Sequence, residues 1–251
     1  MRRALPVVVG ALFLAAWTIA VRAADVPPIV LPTPVQCVVA AWENAGELAR
    51  GFASTAGASV AGLVIAAIAT GGIATALASS RWVHRALFPY VLWLQTVPVV
   101  AVAPLLIVWS GYSFRTVLIV TVMVCLFPMV NATVLGLQRV RGEHLDLWRI
   151  YGGSNSRRLL SLAWPTAVPD FVGGLKTGAP LAVIGAIVAE FFVANGTGGV
   201  GLGTLMTAYR MRARTDALIA AVVLSGVLGL ALYAAVDRGS RRVARRWLGA
   251  E

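Results

Sequence analysis

The chain has 251 residues, 59% of them hydrophobic and only 12% charged, with a mean hydropathy of +0.83. A soluble domain carries about 25% charged residues; half that density cannot coat a globule in water, so the surplus apolar surface has to face lipid. The net charge of +11 does not indicate nucleic acid, because most of the basic residues fall in short gaps between long apolar runs.

A membrane helix needs roughly 20 mostly apolar residues. Six segments qualify: about Leu5–Val21, Ser54–Ala78, Ala86–Trp109, Thr116–Leu137, Gly173–Ala194 and Ala217–Val236. With no internal repeat and no low-complexity linker, residues 1–251 read as one all-α membrane domain, a bundle of six transmembrane helices.

The first segment has two readings. Arg2-Arg3, an apolar stretch and small residues up to Ala24 fit either a retained helix or a cleavable signal peptide. The second is crowded with small residues, Gly62-xxx-Ala66 and Ala67-xxx-Gly71, and the fifth repeats the spacing at Gly174-xxx-Gly178; in lipid this lets helix backbones approach closely. Pro98, Pro104, Pro128 and Pro180 are expected to interrupt their helices. Gln95, Thr96 and Asn131 are polar residues within spans, and either line a solute path or hydrogen-bond between helices. Glu190 is the only acid inside a predicted span. It should face the bundle interior or a water-filled route, either as a wall of the path or as a packing contact.

Orientation follows from the basic residues. With the N-terminus inside, the outer segments hold six of the 21 Lys and Arg (Arg22, Arg50, Arg115, Arg210, Arg212 and Arg214), and the inner segments hold the other fifteen. Both termini are therefore expected in the cytoplasm of a bacterial cell, the chain lying in its inner membrane. Arg210, Arg212 and Arg214 go against the bias; they form either a solvated face or a docking patch for an acidic partner.

The longest inner segment, about Gln138–Val172, contains a stretch around Leu147, Ile150 and Tyr151 that fits a short amphipathic helix, with Asp146 and Arg149 turned away. Gly152-Gly153 stops it, Ser154 or Asn155 can cap a second short helix, and Pro165 and Pro169 are expected to reset the chain direction before the next span. Such a helix, turn and helix either docks into a cleft on a partner or rests on anionic headgroups.

This segment resembles the cytoplasmic coupling loop of binding-protein-dependent ABC importer permeases. In the family pattern an acid, two alanines and a glycine are followed by Ile-x-Leu-Pro. These fall on Asp146, Leu147 and Trp148, Gly152, and Leu162 to Pro165. Leu147 and Trp148 depart from the pattern by their bulk. Leu31-Pro32-Thr33-Pro34, the stretch Gln95 to Pro104 and Val188-Ala189-Glu190-Phe191-Phe192 are similar to the nitrate, taurine, alkanesulfonate and thiamin-precursor pyrimidine branch. The resemblance implies a homodimer of this subunit, two cytoplasmic ATP-binding subunits and a periplasmic solute-binding protein. It also implies that Asp146, Leu147, Trp148, Gly152, Leu162 and Pro165 couple to the ATPase. Gln95, Asn131 and Glu190 remain candidates for the translocation path.

The residues themselves agree that ATP is handled elsewhere. A P-loop needs a lysine after its glycines, and the one lysine, Lys176, follows Leu175 at the start of a span. The glycines of Gly196–Gly203 follow no strand and read as a flexible outer turn. Cys37 and Cys125 make no framework, His84 and His144 have no metal-ligand spacing, and no catalytic constellation or cofactor motif is discernible. An ion-gradient transporter is the alternative; it would usually show inverted repeats and several buried ionisable groups.

Overall fold

The computed structural model describes residues 5–140, 142–150, 154–194 and 200–248, and among these it is helical with no strand. The elements in order are α1 (Leu5–Ala23), α2 (Pro34–Glu43), α3 (Ala45–Ser79), α4 (Arg81–Thr96), α5 (Val99–Ser110), α6 (Phe114–Gln138) and α7 (Gly142–Ile150). After these come α8 (Asn155–Arg158), a π turn over Leu159–Ala163, α9 (Trp164–Val193), α10 (Leu202–Met211) and α11 (Thr215–Leu248).

Four helical stretches are long and apolar enough to cross a membrane: Ala45–Ser79, Phe114–Gln138, Leu159–Val193 and Thr215–Arg241. A fifth crossing is broken. Residue 97 precedes Pro98, which disfavours the helical conformation there. Val97 is accordingly extended, and α4 meets α5 at a 96° bend. The pair still runs from one end of the bundle to the other. Phe88 and Val91 pack beside Leu77 and Leu137, whereas Leu106 packs beside Val117 and Val193. The expected third span is thus two helices. The shorter apolar α1 sits on α2, with most of its side chains exposed.

The centre is α3, α6 and α9, and small residues set their spacing. A Cβ on Gly62 would run into Thr121, one on Gly178 into Met129, and one on Gly185 into the Thr121 backbone. Because Gly136 lies against Ala167 and Asp170 at the far end, α6 and α9 are antiparallel along their length. Gly71, by contrast, faces open space. The chain ends its helices at two levels. Arg81, Arg85, Arg139 and Arg158 mark a basic end, and Tyr209 with Ala40, Leu48 and Ala217 closes the opposite one.

Two expectations about proline are corrected. Pro104, Pro128 and Pro180 lie inside continuous helices, so of the four only Pro98 breaks one. Pro165 and Pro169 do not redirect the chain either, since helix continues from Leu159 to Val193. The π turn explains why. There the Trp164 N–H reaches back five residues to the Leu159 carbonyl, and this widened turn just before Pro165 takes up the proline's missing donor without breaking the helix. The helix containing the fifth span therefore begins well before Gly173, and α3 begins at Ala45, nine residues before Ser54.

Candidate functional site

Glu190 is buried in the last turn of α9, and its carboxylate is fully engaged. Thr55 of α3 donates its hydroxyl toward both oxygens at 2.9 Å, and the Gly203 N–H donates to Oε2 at 3.0 Å. The Leu202 N–H donates to Thr55 Oγ1 at 2.8 Å. Gly201, the residue before α10, supplies no side-chain cap of its own. Glu190 and Thr55 together do that work, satisfying two of the N–H groups that a helix start leaves without partners. The glycines are required for this approach, because a Cβ on Gly201 would overlap the Glu190 carboxyl group and one on Gly203 the Ile187 carbonyl. The described part of the glycine-rich stretch is thus a buried cap, not a free turn; residues 195–199 lie outside the described residues. Beside the cap is a 60 Å³ cavity lined by Tyr112, Phe114, Val193 and Thr204.

Of the other path candidates, Gln95 is exposed in the last turn of α4, two residues before Val97 at the bend, and Asn131 is half-buried on α6. Among the described residues no hydrogen bond joins Gln95, Asn131 and Glu190 to one another.

Two clusters went unnoticed in the sequence. Lys176 and Asp237 pair at 2.7 Å between α9 and α11, and Arg241 reaches the same carboxylate at 2.8 Å. Asp237 falls one residue beyond the expected last span, so within the expected spans Glu190 stands as the one acid. At the opposite end Tyr209 of α10 donates to Glu47 of α3 at 3.2 Å; burial and that carboxylate push its phenol up to about 12, which keeps it a donor. The arginine cluster is partly committed within the chain. Arg214 pairs with Asp216 at 2.9 Å and Glu43 at 3.5 Å, and Arg210 lies over the Phe191 ring at 5.6 Å.

In the segment matched to the coupling loop the described residues form α7 and α8, and residues 151–153 lie outside them. Leu147 and Ile150 lie on the outside of the molecule, 53% and 78% exposed, beside exposed Glu143, His144 and Asp146. Trp148 is half-buried, as is Leu162 in the π turn, and Pro165 is exposed. Gly152 lies outside the described residues. Trp164 ties the segment to α3 through Nε1 and Thr75 Oγ1 at 3.0 Å, and Arg139 pairs with Asp170 at 2.7 Å. An apolar pair left open between acids, on a short helix anchored at its base, is suited to docking against another protein.

The sequence is similar to known proteins over most of its length. A family profile described as binding-protein-dependent transport system inner membrane component matches residues 67–247. The riboflavin transport system permease protein RibX of Chloroflexus aurantiacus is 33% identical over 224 residues, 88% of this chain and 82% of that protein. The putative aliphatic sulfonates transport permease protein SsuC of Escherichia coli is 28% identical over 237 residues, covering 94% and 87%. The formylaminopyrimidine transport permease protein ThiX of Halalkalibacterium halodurans is 32% identical over 156 residues, covering 62% and 61%.

Proposed function

The chain belongs to the family of binding-protein-dependent transport system inner membrane components, and from that premise we propose how it is oriented, assembled and driven. It is the membrane-spanning permease subunit of an ABC importer for a small solute, a multi-pass protein of the inner membrane that works with ATP-binding and solute-binding partners. Nothing in the comparisons favours the ion-gradient alternative.

In the proposed arrangement α1 makes a sixth crossing beside the five already described, and the basic end, α7, α8 and both termini face the cytoplasm. Fifteen of the 21 basic residues then lie inside, as the positive-inside tendency requires. Helix α7 offers Leu147 and Ile150, with Asp146 and Trp148, to a cleft on the ATP-binding subunit. Gly152, Leu162 and Pro165, which fall on the family pattern, belong to the stretch proposed to carry its movement to α9. ATP binding favours one arrangement of the ATPases, and this segment transmits that preference to the bundle as a population shift.

Two copies of the chain form the proposed pathway. The observation that carries this is Gln95, an amide exposed on the outside of a single chain between the two ends of the bundle. Facing hydrocarbon it would leave its donors and acceptors unmatched, which is costly, while facing a second copy across a hydrated route it is satisfied. The interior of one chain leaves little room, since α3, α6 and α9 close on one another at Gly62, Gly178 and Gly185. The solutes proposed are small and polar: a sulfonate, taurine, nitrate or a pyrimidine, with a flavin added by the similarity to RibX.

The test is reconstitution of the permease with its ATP-binding subunit and solute-binding protein in vesicles. The solute is taken from those that raise the melting temperature of the binding protein. Uptake should require hydrolysable ATP and all three components, and uptake sustained by an ion gradient without ATP would contradict the assignment.

A further inference from the structure

At the basic end a cavity of 430 Å³ opens between the end of α3, the start of α4, the end of α6 and the π turn. Its wall includes Arg81, Arg85 and Arg158, with Ser80 and His84, and no carboxylate. Among the described residues none of the three arginines has an acidic partner; Arg139, between the lining residues Gln138 and Val140, pairs with Asp170 instead. His84 stacks on Phe88 at 4.6 Å, and its Nε2 is buried without a hydrogen bond. The first turn of α4, a 16-residue helix, opens at the same place and adds the partial positive charge of a helix N-terminus, although Ser80 Oγ already caps the Trp82 N–H at 3.2 Å. Three like charges lining one concave space repel one another unless an anion joins them.

We propose that this cavity binds a phosphate-bearing anion. Guanidinium groups match phosphate oxygens in pairs, and a cavity of this size lies within the range that holds a small ligand. The arginines come from two elements, α4 and α8, so the anion would tie the start of the broken crossing to the helix that follows α7. Trp82, 81% exposed beside Arg81, is a residue type that settles at the headgroup level of a bilayer. The phosphate is supplied either by an anionic lipid headgroup or by a soluble phosphate, and the site is independent of which side of the membrane the basic end faces.

The experiment has two arms on the permease purified with its ATP-binding subunits. Native mass spectrometry measures retention of phosphatidylglycerol against phosphatidylcholine from an equal mixture. A thermal-shift titration uses inorganic phosphate in detergent free of anionic lipid. The variants are Arg158→Gln, the pair Arg81→Gln with Arg85→Gln, and Arg238→Gln, an exposed arginine outside the cavity, as control. If a headgroup is the source, the parent and Arg238→Gln prefer phosphatidylglycerol. Each cavity arginine removed then lowers that preference about fivefold, and the pair about 25-fold. If a soluble anion is the source, phosphate raises the melting temperature of parent and control but not of the cavity variants, with no lipid preference. Arg158→Gln alone decides should the α4 pair fail to fold. Equal behaviour of parent and cavity variants in both arms, or an equal loss in Arg238→Gln, overturns the proposal.

Discussion

Thr55 and Glu190 are 135 residues apart in sequence, and the Thr55 hydroxyl lies 2.9 Å from both oxygens of the Glu190 carboxylate while also accepting the Leu202 N–H at 2.8 Å. One hydroxyl therefore joins α3, α9 and α10. Thr55→Val keeps the shape and removes both bonds, leaving a buried carboxylate short of a donor; a loss of about 1–3 kcal/mol is expected. Glu190→Gln, which keeps an acceptor for Gly203 or Thr55, should cost less. Thermal unfolding of the purified variants orders them. Uptake by Glu190→Gln then separates the roles: uptake that falls while assembly persists assigns the charge to the path, and unchanged uptake leaves the cap alone.

Glycine substitutions should divide by what surrounds them. Gly203→Ala would drive a methyl into the Ile187 carbonyl at the start of α10, whereas Gly72 on α3 has nothing within 4 Å. The first should lower the melting temperature and the yield of folded protein. Gly72→Ala should be neutral or stabilising by about 0.4–1 kcal/mol, because alanine loses less backbone freedom. Equal melting temperatures for the two would contradict the close approach.

The pair Lys176–Asp237 fixes α11 to α9. Lys176→Met leaves Asp237 with Arg241 alone, and Asp237→Asn leaves Lys176 without its partner in the bundle. Each single change should lower the melting temperature, and exchanging the two charges should restore part of the loss. A cycle in which the effects simply add would show that the pair contributes no coupling.

Much of this was legible from composition and spacing, and the exceptions have physical causes. Long apolar runs announce lipid-facing helices because nothing else accommodates them, so the four long crossings were located. Helices α2 and α10, ten residues each, escaped a search for 20-residue runs. A local signal for α2 existed: Thr33 and Gln36 form a capping box, the Gln36 side chain accepting the Thr33 N–H at 2.7 Å. Glu190 stood out as an acid in an apolar run. Its partners did not, because Thr55 lies on another helix and Gly203 contributes only its backbone. Prolines misled, since a helix in a bundle tolerates them where neighbours or a widened turn take up the strain. Only Pro98, with Val97 extended before it, ended its helix.

Topology can be read with reporters. Fusions after Gly142 and after Gly198 fall on opposite sides of α9 in the chain, and should report opposite compartments, Gly142 cytoplasmic. Equal signals would contradict the proposed number of crossings, and reversed signals the proposed orientation.

The measurement closest to the central claim is co-purification of the ATP-binding subunit with the permease, comparing the parent with Leu147→Asp/Ile150→Asp. Both side chains lie on the outside of α7, so the substitutions should leave the fold and the melting temperature in place. If α7 is the docking element, placing two charges in an apolar contact should lower recovery of the ATPase about tenfold or more, with binding-protein-stimulated hydrolysis falling alongside. Arg238→Gln, an exposed change on α11, should recover the ATPase like the parent. Parent-like recovery and hydrolysis in the α7 variant would contradict the account and place the coupling element elsewhere.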